Sequence, residues 1–364
     1  MYSFEPDEEQ KMLVDTMNKF AINDLRAKAS ENDEEGHLPP FLVEKGWELG
    51  LLQASIPEVY GGFGEHSYLT GVLAAEQMAF GDLAGAIAVL IPGLFVLPIF
   101  LAGNEEQKQS YIPPVIEGEW QPYTSALIEP KYDFDACDLS TTATEQADSY
   151  LIKGQKVYVP YADAAQVMIV YANLEGRTQG FIVPKQLQGV EIGERQKLLG
   201  IHALPVFSVG LNDVKIPKEN RLGGSNGHEF TPILDSCRIA MAAMAVGLSK
   251  AAYEYARDYA KDRDVFGVKV AQKQVIAFML AEMATEIEAI RLVTWEAAWM
   301  MDNDKEDASK QAYLAHTGAV DMSMMVTDRA VQILGGHGYI REHPVELWMR
   351  NARGIPMLTG IAVV

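Results

Sequence analysis

The sequence predicts an α+β chain in three parts: a helical N-terminal domain (residues 1–120), a middle β domain, antiparallel and barrel-like (121–223), and a C-terminal four-helix bundle (224–364). Three changes of pattern predict it. Apolar residues recur at helical spacing up to about Gly103. Short runs separated by Gly, Asn, Asp and Pro replace them between about Gln121 and Gly223. Long helical periods return after Gly224.

In the first part, Met12, Leu13, Met17, Phe20 and Ala21 share a helical face, and Val43, Trp47 and Leu51 follow. The longest apolar stretch, Leu83 to Leu101, is interrupted by Pro92, Gly93 and Pro98 and reads as core helices rather than a membrane span. In the second part, strands are expected at Tyr150 to Ile152, Val157 to Val159, Val167 to Tyr171, Gly180 to Val183 and Phe207 to Leu211. In the third, helices are expected over Ile233 to Arg263, Gln274 to Asp302 and Ala308 to Leu334, and short connections make them an antiparallel bundle.

Composition excludes several function classes. Fifty acidic residues against 30 basic ones give a formal charge of -20, which repels nucleic acid and anionic lipid. Cys137 and Cys237, far apart and without neighbouring ligands, indicate neither a disulfide framework nor zinc, so a reducing cytoplasmic setting is expected. The acidic N-terminus, Met1 to Gln10, lacks a signal-peptide pattern. His337 and His343 flank Tyr339 without the carboxylate pattern of a metal site, and Gly335, Gly336 and Gly338 follow a helix rather than the strand of a dinucleotide loop.

A set of short motifs then accumulates in order: Pro57 to Gly64, rich in Gly; Gly103-Asn104-Glu105-Glu106-Gln107-Lys108; Glu129-Pro130; Gly154-Gln155-Lys156; Leu199-Gly200-Ile201; Val214 to Pro217 with Asn220, Leu222 and Gly223. In the bundle, Arg263, Phe266, Gly267 and Gln274 precede Leu280 to Met283, and Gln332 to Gly336 precede Gly338-Tyr339, Pro344, Arg350 and Arg353. In this order and spacing the chain resembles the acyl-CoA dehydrogenases along nearly its whole length. The resemblance implies that family's three-part fold, FAD as cofactor, an acyl-CoA substrate oxidised to enoyl-CoA, and an electron-transfer flavoprotein as acceptor.

In that family each FAD is shared, one subunit holding the isoalloxazine ring and its mate reaching the pyrophosphate and adenine end. The resemblance places Arg263, Phe266, Gln274, Gln332, Gly335 and Gly336 among the residues that reach across. The ring side departs from the pattern. Ile128 and Pro160 replace two flavin-contacting threonines, Tyr158 replaces a shielding Trp, and Ile361 and Val363 replace later Thr and Gln contacts. Ile lacks a donor and Pro lacks even its backbone N–H, so weaker ring binding is expected. Lys131-Tyr132-Asp133-Phe134 replaces a small-residue stretch, and Phe134 and its neighbours are expected to fill the thioester mouth.

Oxidation at Cα and Cβ needs a base for the α-proton while the flavin accepts hydride. Thr359 stands at the usual Glu position and Cys237, just before Arg238, at the other one, so neither family carboxylate is present. Cys237 reads as a buried packing residue. Asp235 matches an acid that helps hold the pantetheine in relatives, and it is the first substitute base to test. The leading expectation is a base-deficient subunit that lends FAD contacts to a homologous catalytic dehydrogenase subunit in a hetero-oligomer, a dimer of dimers. A homo-oligomer with an unconventional base and an FAD-free structural or acyl-CoA-binding subunit remain alternatives.

Overall fold

The computed structural model describes residues 6–364, so residues 1–5 of the acidic N-terminal stretch lie outside it. Helices α1 (Glu8–Phe20), α2 (Ala27–Glu35), α3 (Pro40–Trp47), α4 (Leu51–Ala54), α5 (Tyr68–Gly81), α6 (Leu83–Leu90), α7 (Gly93–Ala102) and α8 (Glu105–Ile116) form the first part. A π-helical turn, Ala21–Arg26, links α1 to α2. The termini follow from capping chemistry. Asp7 and Gln10 exchange hydrogen bonds of 2.8 and 3.1 Å at the start of α1, and Asn104 and Gln107 repeat that box at the start of α8.

The middle part is a mixed seven-stranded sheet rather than a barrel. Its strands are β1 (Thr124–Ala126), β2 (Thr142–Glu145), β3 (Ser149–Pro160), β4 (Val167–Leu174), β5 (Arg177–Pro184), β6 (Val190–Arg195) and β7 (Val206–Pro217). The order is β1-β4-β2-β3-β7-β6, with β5 on β4, and β1 and β2 both run parallel to β4. The antiparallel, barrel-like expectation is corrected on these points. The chain enters from α8 alongside β4 instead of hairpinning onto it, and the sheet stays open. Two expected strands, Tyr150 to Ile152 and Val157 to Val159, are one strand, β3, with irregularities in its pairing to β7.

The third part carries α9 (Thr231–Asp262), a two-residue hairpin of β8 (Asp264–Val265) and β9 (Val268–Lys269), then α10 (Gln274–Asp302), α11 (Ala308–Leu334) and α12 (Val345–Gly354). Helix α9 is long and apolar enough to span a membrane by length and composition, but most of that stretch is buried inside the fold. It packs against α5, α10 and α11 through a small-residue run, Ala240, Ala242, Ala243, Ala245 and Gly247, that lets the backbones approach closely. Asp302, at the end of α10, accepts from the amides of Tyr68 and Leu69 at 2.7 and 3.0 Å and so caps α5.

Polar joints fix the three parts to one another, and several of the short sequence motifs are these joints. Gln107 donates to the carbonyls of Glu219 and Arg221 at 2.8 and 2.7 Å and accepts from the Gly223 amide at 3.1 Å. Arg350 of α12 bonds Asp33 of α2 at 2.7 Å and the Leu199 carbonyl at 3.1 Å, while Asn351 accepts from the Ile201 amide at 2.6 Å. Gly200 has no room for a side chain: a Cβ there would strike the Arg350 carbonyl.

Within the sheet domain the Glu129-Pro130 and Gly154-Gln155-Lys156 motifs meet. Lys156, fully buried, donates to Glu129 at 2.9 Å and to the Leu127 carbonyl at 3.0 Å, and Glu129 also accepts from the amides of Ser140 and Thr141 at 2.6 and 2.8 Å. The pair closes residues 130–140 into a loop. Burial alone would push the Glu129 carboxyl up, but Lys156 and Thr141 outweigh it and hold the group below the ordinary carboxylate range. Lys156→Met therefore leaves Glu129 buried without its cation, and is expected to cost about 3–5 kcal/mol in urea unfolding at neutral pH. The sign with pH follows. A depressed carboxylate stabilises the wild type above its unfolded pKa and loses that contribution in acid, whereas the stranded Glu129 of the variant is relieved by protonation, so the difference should narrow as pH falls.

Candidate active site and cofactor-contact surface

The residues expected to reach across to a shared FAD gather at one end of the bundle. Helices α9 and α11 end there and α10 begins there, so Arg263, Phe266, Gln274, Gln332, Gly335 and Gly336 share that end. A hydrogen bond of 3.0 Å from Tyr259 to His337 holds the loop after α11 against the last turn of α9, one turn from Arg263. All six are exposed. Phe266 is 94% exposed at the tip of the hairpin, with φ 54°, a strained conformation for an aromatic residue. The Arg263 guanidinium has no acceptor among the described residues. Gly335, at φ 58°, and Gly336 present bare backbone, since a Cβ at either would meet nothing within 4 Å.

His337 and His343 lie behind this surface, stacked 5.1 Å apart and bonded to Tyr259 and Tyr255. They buttress the glycine loop.

The positions expected on the ring side are closed instead. Ile128 is 5% exposed, and Pro160, Ile361 and Val363 are also buried. Tyr158 is half-buried at φ 55°, in the irregular stretch of β3, and its amide donates to Gln196 at 2.8 Å. A flavin ring would meet aliphatic side chains where a hydroxyl donor is needed, so the far-end residues fit FAD and the ring-side residues do not. The expectation that bulky side chains fill the adjoining mouth holds for only part of the segment. Phe134 packs against the core, but Tyr132 projects fully into solvent.

The two positions expected for the base differ in surroundings. Cys237 is buried on α9, and burial pushes its thiol up to about 12, which makes it a poor nucleophile. Asp235 bonds Arg238 at 2.8 Å; burial raises its carboxyl above the ordinary range despite Arg238 and Ser309. Thr359 sits in the turn after a 3-10 segment, Ile355–Met357, with the following Gly360 pressed on Leu127, next to the Glu129 loop. Its hydroxyl lies 3.0 Å from Nε2 of His316 on α11, a partner that sequence reasoning missed. Burial, with Arg238 adding to it, lowers His316 to about 4, so the imidazole is neutral at pH 7. Asp235, Arg238, His316 and Thr359 thus form one polar cluster between α9, α11 and the C-terminal turn.

The two thiols should separate chemically. Native chain treated with iodoacetamide at pH 8 is expected to alkylate exposed Cys137 and spare Cys237, with both modified after denaturation; peptide mass mapping reads the result.

Family models describe this chain over nearly all its length. The N-terminal, middle and C-terminal domains of acyl-CoA dehydrogenases match residues 7–119, 124–214 and 230–362. The mitochondrial short-chain specific acyl-CoA dehydrogenase of Sus scrofa is 35% identical, covering 100% of this chain and 89% of its own. CarC, a subunit of the caffeyl-CoA reductase-Etf complex of Acetobacterium woodii, is 34% identical over 98% of this chain and 96% of its own. The solved structure of butyryl-CoA dehydrogenase from Megasphaera elsdenii superposes with a TM-score of 0.89 at 32% identity, over 99% of this chain and 96% of that one. The three-part fold and these full-length matches agree, and the chain belongs to the acyl-CoA dehydrogenase family of FAD-dependent oxidoreductases.

Proposed function

We propose that this chain takes part in the α,β-oxidation of a short-chain acyl-CoA as the base-deficient subunit of a hetero-oligomer. Arg263, Phe266, Gln274, Gln332, Gly335 and Gly336 would grip the far end of an FAD whose ring lies mainly in a homologous catalytic subunit. One observation carries this reading: the six far-end positions are exposed, whereas Ile128, Pro160, Ile361 and Val363 on the ring side are buried apolar groups. Thr359 supports it, since a threonine hydroxyl cannot hold the α-proton as a carboxylate does.

An apolar flank favours a partner subunit. Helix α10 leaves Val275, Phe278 and Leu292 about half exposed, and α11 adds Tyr313 and Leu314, a face that a second subunit would cover. The short acyl chain follows the relatives named for short-chain and butyryl-CoA substrates. An electron-transfer flavoprotein as acceptor follows the relative that is named as part of an Etf complex.

Expression alone and together with a neighbouring dehydrogenase-like reading frame tests the reading. The mixed complex is expected to hold about half an FAD per chain and to reduce an acceptor with acyl-CoA, and the chain alone to do neither. Full activity of the chain alone would overturn the proposal, and a colourless mixed complex would favour a structural role. Arg263→Ala in the complex removes a charge-assisted contact worth about 1.5–3 kcal/mol, so FAD should dissociate roughly 10- to 150-fold more readily in equilibrium dialysis.

A further inference from the structure

The cluster left at the base position has a chemistry of its own. His316 Nε2 and Thr359 Oγ1 lie 3.0 Å apart, within the reach of a nucleophile and its base. Both residues are half-buried, so the pair is shielded without being sealed in the core. In the tautomer that carries the ring proton on Nδ1, His316 Nε2 accepts from the threonine hydroxyl. That contact suits a base acting on the hydroxyl. Neither the Thr359 nor the Gly360 amide has a backbone acceptor among the described residues, and Gly360 holds the turn at φ 103°. The Thr359 and Gly360 amides are thus left, among the described residues, without a backbone partner next to the hydroxyl.

We propose that Thr359 and His316 form a nucleophile and general-base pair that hydrolyses acyl-CoA thioesters in this chain's own site. The inference rests on the reading that the chain handles an acyl-CoA, and it adds that the thioester enters this chain's own site. Thr359 Oγ1 bonds to the thioester carbonyl carbon as its proton passes to His316 Nε2. The C–S bond then breaks, and the sulfur takes that proton and leaves as the CoA thiol. Water next gives a proton to His316 and attacks the ester carbon. The C–Oγ1 bond breaks, Thr359 recovers its proton, and a carboxylic acid departs. Nothing is oxidised or reduced, and water is the only co-reactant.

The weak basicity of His316 is compatible with this step. A neutral imidazole lowered to about 4 is about as basic as a carboxylate. The leaving group is a thiol of ordinary pKa about 8.5, which departs with little help from an acid. Arg238, held by Asp235 at 2.8 Å, adds a positive field at the cluster that favours a developing oxyanion.

The test incubates the purified full chain with butyryl-CoA, without an electron acceptor, and follows free CoA by chromatography and any acyl adduct by peptide mass spectrometry. The wild type is expected to release CoA above the uncatalysed rate and to carry an ester on Thr359. Thr359→Val and His316→Gln should each lower release by about 100-fold or more, while Thr359→Ser keeps it within about tenfold. Circular dichroism confirms that each variant folds. Release no faster than in buffer, or release unchanged in Thr359→Val, overturns the proposal. FAD content and acceptor reduction are read separately on the mixed complex. Loss of the flavin result with CoA release intact overturns only the partner reading, and the reverse overturns only this one.

Discussion

Arg350 sits where the three parts of the chain meet, and the geometry of the site depends on that joint. Its guanidinium spans Asp33 in the first part, the Leu199 carbonyl in the second and Glu346 on its own helix. Asp33 is only 6% exposed, so its charge-assisted bonds to Arg350 are worth about 1.5–3 kcal/mol rather than the small value of a surface pair. His202 adds a bond to the Asp33 carbonyl at 2.7 Å, and Gly200 brings the β-domain backbone onto α12. Gln107 makes the corresponding joint on the other side, between α8 and the turn that carries Gly223. The sheet is thus tied to the helices at two places.

Seen in this light, many motifs that mark the family are joints rather than chemistry. Asn104 to Gln107, Leu199 to Ile201 and Arg350 lock domains, and Glu129 with Lys156 pins the loop of residues 130–140. They are present in this chain, whereas Ile128, Pro160 and Thr359 stand at the positions expected for ring-side contacts and the base. A loop pinned by a buried ion pair cannot lose one partner without stranding the other, whereas Ile or Pro at a cofactor contact costs the folded chain nothing when the cofactor is held elsewhere.

The long helices were legible because their period repeats over seven or more turns. The expected spans for the three bundle helices differ from α9, α10 and α11 by two residues at most. Strands β1, β2 and β6 escaped, being short or largely exposed, and so lacking an apolar alternation. Parallel pairing to β4 was also illegible, because it depends on how the chain crosses from α8 and not on any residue within the strands. That Arg263, Phe266, Gln274, Gln332, Gly335 and Gly336 gather at one end of the bundle was expected from the family resemblance. His316 was not: 43 residues separate it from Thr359, and on α11 its spacing is that of any half-buried helical position.

Charge bears on what a site with Thr359 at the expected base position can do. Abstracting an α-proton leaves negative charge on the substrate, and a carboxylate base ends that step neutral, so the total charge of the pocket is unchanged. In this cluster the only buried anion, Asp235, already neutralises Arg238, and His316 is uncharged. Proton transfer to His316 would create a cation beside Arg238, in the field that already depresses the imidazole. A cation formed there is tolerable only while an oxyanion is bound against it, as in a tetrahedral acyl intermediate. The enolate of α-proton abstraction and the tetrahedral acyl intermediate both supply such an oxyanion, so it is the contact between His316 and the Thr359 hydroxyl, not charge, that favours attack at the carbonyl.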